Sequence, residues 1–310
     1  MGLFSRKARA GLDLSPAGPY RATDTVTATV TIPEALDGVT AATVELGYLN
    51  GFRYVWAGRA ESAMTGASET AFVLGVTDTN PGNSKDSEEW VHVLDVPLTV
   101  AGGVLGSGTH AVPLRLPSWS PGSSEFVVRW QARLRVERSG RDVEVEVPLQ
   151  VLSAAPDPVP APEDMELVQG ERSFTNSVLF DVTTDRSAYR AGETIHGTIG
   201  LTAREPITRT ALVAAWFRKV QTSHPLDKQP PLQPNESFTP RPMISIARDV
   251  MLVQGQRVEF PFLLPIPADV DPTSEAVHAS LDWEIQFKVE FSGMTGAIER
   301  AQKKVIFYTG

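Results

Sequence analysis

Apolar and polar side chains alternate one for one along the clearest stretches of this sequence, the spacing of a strand with one face buried. Trp130, Ala132, Leu134 and Val136 are separated by Gln131, Arg133, Arg135 and Glu137. After Ser139-Gly140 the alternation resumes, with Val143, Val145, Val147, Leu149 and Val151 set between Glu144, Glu146, Pro148 and Gln150. A hairpin folded about Ser139-Gly140 sets Arg135 opposite Glu144 and Arg133 opposite Glu146 on the wet face. The same register sets Leu134 opposite Val145 and Val136 opposite Val143 on the dry face. Each opposite-charge pair adds about 0.2–1 kcal/mol. One register satisfies both faces.

The device recurs late in the chain. Trp283, Ile285, Phe287, Val289 and Phe291 are expected to face a core, with Glu284, Gln286, Lys288 and Glu290 facing out. Asn50-Gly51, between Val44–Leu49 and Phe52–Trp56, is the dipeptide of a type I′ hairpin turn. Phe52, Tyr54 and Trp56 then fall on the buried face of the returning strand. No segment long enough for a helix of three turns carries the 3.6-residue period with caps. Repeated short strands punctuated by Gly and Pro predict an all-β fold of antiparallel β-sandwiches. Two longer irregular stretches, Ala57–Glu89 and Thr222–Met243, are expected to be loops that are functional or disordered.

The chain repeats itself. Tyr20-Arg21-Ala22-Thr23-Asp24-Thr25-Val26 returns as Tyr189-Arg190-Ala191-Gly192-Glu193-Thr194-Ile195, and the likeness continues to Ile32 and Leu201. Val112–Pro117 is answered by Phe260–Pro265, and Trp130 with Val136–Gly140 by Trp283 with Val289–Gly293. Three blocks in the same order identify an internal duplication. Between the copies, Ala154–Glu163 carries Pro156, Pro158, Pro160 and Pro162 at alternate positions, which favours an extended, stiff connector. The expected organisation is one sandwich over 1–153, a Pro-rich linker over 154–165 and a second sandwich over 166–310.

These residues resemble a known architecture. Tyr189–Leu201 is similar to the opening strands of an arrestin domain, as is Phe260–Pro265 followed by Leu281–Val289. Order, spacing and duplication resemble the arrestin-like superfamily of two tandem immunoglobulin-like sandwiches, with the bacterial sporulation-control protein family as the nearest comparison. The resemblance spans nearly the whole chain. It is clearer in the second copy, because Thr23 stands in the first where the turn glycine is expected. It implies an adaptor or scaffold without catalysis. The buried Arg–Asp polar core and phosphate-sensing lysines of receptor-binding arrestins have no identified match, and there is no Pro-Pro-x-Tyr motif, so receptor regulation does not carry over.

Composition removes whole classes of chemistry. Among 310 residues there is no cysteine, so disulfides, thiolate metal sites and thiol nucleophiles are excluded. The net charge of −9 is spread over both copies, and neither presents a basic stripe for nucleic acid. Met1–Ala10 carries Arg6, Lys7 and Arg9 after Leu3 and Phe4, with no apolar run of signal-peptide length behind them. The expected location is the cytoplasm, and those three charges make at most a weak contact with an anionic membrane surface. His92, His110, His196, His224 and His278 lack metal-ligand spacing. Asp78–Asp86 fails the calcium-loop pattern and reads as a turn. Glu88-Glu89, Glu163-Asp164 and Glu144 with Glu146 are the carboxylate pairs on which a glycoside hydrolase would draw.

The function expected is a non-enzymatic intracellular adaptor, without cofactor, that binds a protein partner through sheet edges, the concavity between copies and the long loops. The partner-binding candidates are Pro230, Pro231, Leu232, Pro234 and Phe238, in a stretch suited to polyproline docking. The alternatives are a β-sandwich hydrolase using carboxylates in the groove, and a membrane-peripheral or self-assembling structural protein.

Overall fold

The computed structural model describes residues 10–56, 83–170, 176–224, 235–237, 243–293 and 297–310; for 54–56, 83–85 and 235–237 it describes the backbone alone. The first half opens with β1 (Gly11–Ser15), β2 (Tyr20–Arg21), β3 (Thr25–Ile32) and the short β4 (Leu36–Asp37). The long β5 (Val39–Trp56) and β6 (Asn83–Pro97) follow, then β7 (Val104–Leu105) and β8 (Gly108–Arg115). It closes with β9 (Arg129–Arg138), β10 (Val143–Pro148) and β11 (Val151–Leu152). After a single 3-10 turn at Pro162–Asp164 come β12 (Leu167–Gln169), β13 (Val178–Thr184), β14 (Ala188–Arg190) and β15 (Thr194–Ala203). Then β16 (Thr210–Ser223), β17 (Asn235–Ser237), β18 (Ile244–Met251) and β19 (Arg257–Pro265) run on. The last strands are β20 (Ser274–Glu275), β21 (Ala279–Phe291) and β22 (Ile298–Tyr308).

The protein is all-β. A three-stranded sheet β1-β3-β8 and a four-stranded sheet β10-β9-β5-β6 make the first half. The second repeats them as β13-β15-β19 and as β12-β22-β21-β16, with β17 and β18 both on the β16 edge. Every described ladder stays within 11–152 or within 167–308. All are antiparallel except the short pairs β11–β2 and β14–β22. No described helix is long and apolar enough to cross a membrane.

Alternation sets what each sheet buries. In β3, Val26, Ala28, Val30 and Ile32 are buried while Thr25, Thr27, Thr29 and Thr31 point away. In β9, Trp130, Ala132, Leu134 and Val136 are buried, each large side chain contributing about 1.5–3 kcal/mol. The Trp130 ring meets Tyr48 at 5.0 Å between centroids; in the second half Trp283 meets Phe307 at 5.3 Å. The β9–β10 hairpin has the expected register, with Glu144 opposite Arg135 and Glu146 opposite Arg133. Arg133 holds Glu146 at 3.0 Å, but Arg135 turns to Glu45 of β5 at 3.3 Å, because β9 is flanked on both sides.

Three expectations are corrected. Asn50-Gly51 is no turn: β5 runs straight through it, paired with β6 on one side and β9 on the other. A Cβ on Gly51 would stand 2.3 Å from the Phe126 carbonyl oxygen, so glycine is there for close approach. Of the stretches expected to loop, Asn83–Glu89 in the first and Thr222, Ser223 and Asn235–Ser237 in the second are strand. Glu284 and Gln286 lie opposite the apolar core yet are buried, tied to Arg218 and Gln302.

The duplicated Tyr-Arg-Ala block has a structural cause. Tyr20 donates its hydroxyl hydrogen to the Pro16 carbonyl at 2.6 Å, and the one hydroxyl hydrogen of Tyr189 is shared between the Arg186 carbonyl at 2.6 Å and Asp185 Oδ1 at 2.8 Å. Asp24 and Glu193 each accept the N–H of the arginine three residues earlier, at 2.7 and 2.8 Å, closing a turn. Gly192 takes the left-handed conformation that turn requires, with φ of 85°, and Thr23 is forced into the same region at 73°. A β-branched residue there costs roughly 1–2 kcal/mol. Thr23→Gly is therefore expected to raise unfolding stability by about 1 kcal/mol and Gly192→Thr to lower it by about as much or more. Urea denaturation of the two variants checks this; a destabilised Thr23→Gly would refute the strain.

Candidate functional site at the junction of the two halves

Equivalent residues of the two copies meet each other where the halves join. Trp130 donates its indole N–H to the Pro121 carbonyl at 2.9 Å, as Trp283 does to that of Asp271 at 2.9 Å. Ser123 exchanges two hydrogen bonds with Val151, and Thr273 the same two with Phe307. These pairs align Gly122 with Pro272 and Ser153 with Thr309. Gly122 packs on Pro272, leaving room for no Cβ (2.8 Å). The Ser153 N–H donates to Thr309 Oγ1 and the Thr309 N–H to Ser153 Oγ, both at 3.0 Å. Reciprocal contact of like with like is the mark of a two-fold, isologous interface. At this joint the two copies of the repeat meet like with like.

Two polar side chains clamp the joint. Asn50 is fully buried; its Nδ2 donates to the Val127 carbonyl at 2.8 Å, and its Oδ1 accepts the His278 N–H at 2.6 Å. Around it, the Arg53 N–H donates to Ser223 Oγ at 2.8 Å. The Phe52 ring lies 5.1 Å from the His278 ring, whose Nε2 faces Glu89 at 3.1 Å. Asp271 accepts the Glu125 N–H at 2.9 Å through Oδ1 and pairs with Lys219 through Oδ2. The connector is anchored rather than loose: Lys303 donates to the Pro162 and Met165 carbonyls, and burial pulls its ammonium below the usual lysine range.

Beside this joint a crevice of about 650 Å³ opens between Ser123, Gln150 and Leu152 of the first half and Arg190, Glu193, Asp269 and Thr309 of the second. Glu193 is held by the Arg190 N–H and by Arg186 at 3.2 Å. Asp271, also on its wall, is committed to the clamp. The Arg190 guanidinium is exposed. Such a crevice can receive a polar chain, and two of the three carboxylates on its wall, Glu193 and Asp271, are committed to ion pairs.

A second, open groove of about 680 Å³ lies over β13, β15 and β19, floored by Thr183, Thr198, Pro261 and Leu263. At its end, burial pushes the Asp185 carboxyl up, but hydrogen bonds from the Tyr189 hydroxyl and the His196 N–H, with the charge of Arg186, outweigh this. The carboxyl is held below its ordinary range. Burial and Asp185 together push the Tyr189 hydroxyl well up.

The partner-binding candidates Pro230, Pro231, Leu232, Pro234 and Phe238 lie outside the described residues, as do Met1–Arg9 and Asp78–Gly82. Of their surroundings, β17 pairs with Lys219–Gln221 at the end of β16, close to the joint. Of the carboxylate pairs, Glu88 is held by Arg129 at 2.5 Å, Glu89 faces His278 and Glu146 is held by Arg133, while Glu144, Glu163 and Asp164 have no ion pair among the described residues. His92 pairs with Asp95 and His224 with Glu275. No cluster among the described residues has the makings of a metal site. Asn50, Asp271, Ser153 and Thr309 were not among the sequence candidates. Asn50 carries a signal that reads as a turn, and Ser153 and Thr309 follow the last matched block of each copy.

No family model matches the chain, and no curated protein does. A solved structure, Spo0M, a sporulation control protein from Bacillus subtilis, is similar to it with a TM-score of 0.34 and 13% identity. The match covers 44% of this chain and 51% of that one, so the chain spans about half the length of that structure.

Asn50→Ala leaves the Val127 carbonyl with the Gly51 N–H at 3.2 Å and takes the acceptor from the His278 N–H, at about 1–3 kcal/mol for a group left unmatched. An unfolding free energy lowered by about 1–3 kcal/mol is expected; an unchanged midpoint would remove Asn50 from the joint. Because the Asp185 pKa is depressed on folding, its contribution is present above the unfolded value near ~3.9 and is lost as pH falls through the folded one. Asp185→Asn should therefore flatten the loss of stability on acidification below about pH 4. An acid limb as steep as the wild type's counts against the carboxylate.

Proposed function

We propose that this chain is a non-catalytic intracellular adaptor of arrestin-like type, with one sandwich over 1–153, a linker over 154–165 and a second sandwich over 166–310. What carries the proposal is the crevice at the joint. Its walls come from both halves, reciprocal hydrogen bonds join those halves beside it, and two of its acidic side chains, Glu193 and Asp271, are held in ion pairs. A cleft whose carboxylates are largely committed to ion pairs suits recognition better than hydrolysis. The tandem order of strands and the sequence resemblance support the same reading. The Pro-rich stretch around Gln229–Pro234 follows β16 in sequence and would supply a docking peptide of low entropic cost.

The test is a cross-linked pull-down with the full chain from an extract of its own cells, beside a variant lacking residues 225–234. That deletion spares Ser223, which bonds to Arg53, and the strand at Asn235–Ser237. A discrete partner, reduced roughly tenfold or more by the deletion, is expected for a docking segment. Recovery of the chain alone would overturn the adaptor reading, and capture indifferent to the deletion would overturn the segment's role.

A further inference from the structure

The two halves treat one sheet edge differently. In the second half β22 does not end its sheet, because β12 lies on its outer side, Leu167–Gln169 running antiparallel to Ala301–Lys303. Backbone bonds from Lys304 to Glu166 (3.0 Å) and from Gly170 to Arg300 (3.2 Å) lengthen that ladder. The equivalent strand of the first half is β10: Val145 stands opposite Leu134 as Ala301 stands opposite Phe287, one to each copy of the Trp-led strand. No described strand covers β10, which ends the order β10-β9-β5-β6. The difference shows in burial. On the core-facing side Val143, Val145 and Val147 remain half-buried, whereas Glu299, Ala301 and Lys303 are 1%, 2% and 3% exposed.

We infer that the free edge of β10 receives an extended strand from a partner protein, added antiparallel as β12 is added to β22. This deepens the adaptor reading and rests on it. An edge that no described strand pairs, though β1 of the facing sheet lies near it, offers backbone N–H and C=O groups in register, which is what strand addition requires. Side chains specify the guest. Apolar residues at alternate positions would complete the cover over Val143, Val145 and Val147. The other positions would face Glu144 and Glu146, both exposed, and Glu144 has no ion pair among the described residues. The fitting guest alternates apolar with basic side chains. A second copy of β10 is the wrong guest, since antiparallel self-pairing sets glutamates against glutamates. Pro148, lacking an N–H, ends the binding edge on one side.

The experiment titrates a fluorescent peptide of alternating valine and lysine into the full chain and follows anisotropy, with amide hydrogen exchange of Val143–Val147 as the second readout. Saturable binding with slowed exchange of those amides is expected. Glu144→Lys, which leaves the β10 backbone intact, should weaken the lysine peptide by roughly tenfold and favour a valine–glutamate peptide instead. Val145→Pro should abolish both, with thermal unfolding confirming that each variant is folded. No binding, binding indifferent to Glu144→Lys, or binding without protection of β10 would overturn the inference. Binding that appears only after residues 1–9 are removed would overturn the partner as guest, the chain's own terminus then filling the edge. Failure here alongside a partner captured in the pull-down would sink this edge and leave the adaptor reading standing.

Discussion

A buried amide group has to make its hydrogen bonds inside the protein, and Asn50 makes its bonds to both halves at once. Its donor holds the Val127 carbonyl of its own half; its acceptor holds the His278 N–H of the other. Of the two groups it holds, the Val127 carbonyl also takes the Gly51 N–H, while the His278 N–H has the Asn50 amide oxygen as its acceptor. The orientation of the halves, and with it the crevice, follows from this clamp together with the Asp271 clamp on Glu125 and Lys219. The apolar cores determine that each half folds. The polar clamps determine how the halves face each other.

The division explains what could be read from the chain beforehand. The β9–β10 register was readable because charge and hydrophobicity agreed on one pairing, and neither depended on anything distant in sequence. The duplication was readable because the Tyr-Arg-Ala turn needs the same tyrosine, carboxylate and left-handed residue wherever it is built. Asn50-Gly51 misled because the dipeptide that suits a hairpin turn also suits a crossing point, where one residue binds across a gap and the next lets a neighbouring carbonyl approach. Nothing local separates the two. Only the partners, Val127 and His278, do.

Glu284 and Gln286 show the same limit from the other side. Their alternation with Trp283, Ile285 and Phe287 places them correctly on the face away from the core. It cannot tell that this face is shielded too, and that Arg218, Gln302 and Glu284 satisfy one another there. Such a buried ionic layer adds little net stability compared with an apolar one but resists any change of register, because a slip by one residue would strand a charge. The crevice was out of reach of sequence for a plainer reason: its lining comes from five separated stretches of chain.

The reciprocal joint has a consequence for the handling of the chain. A surface built to meet its own duplicate is close to self-complementary. In the first half, Ser153 can exchange hydroxyl bonds with another Ser153 as it does with Thr309, and Gly122 leaves room for another Gly122 where it now meets Pro272. Cut free at the connector, that half would expose at one end a surface whose nearest complement is itself.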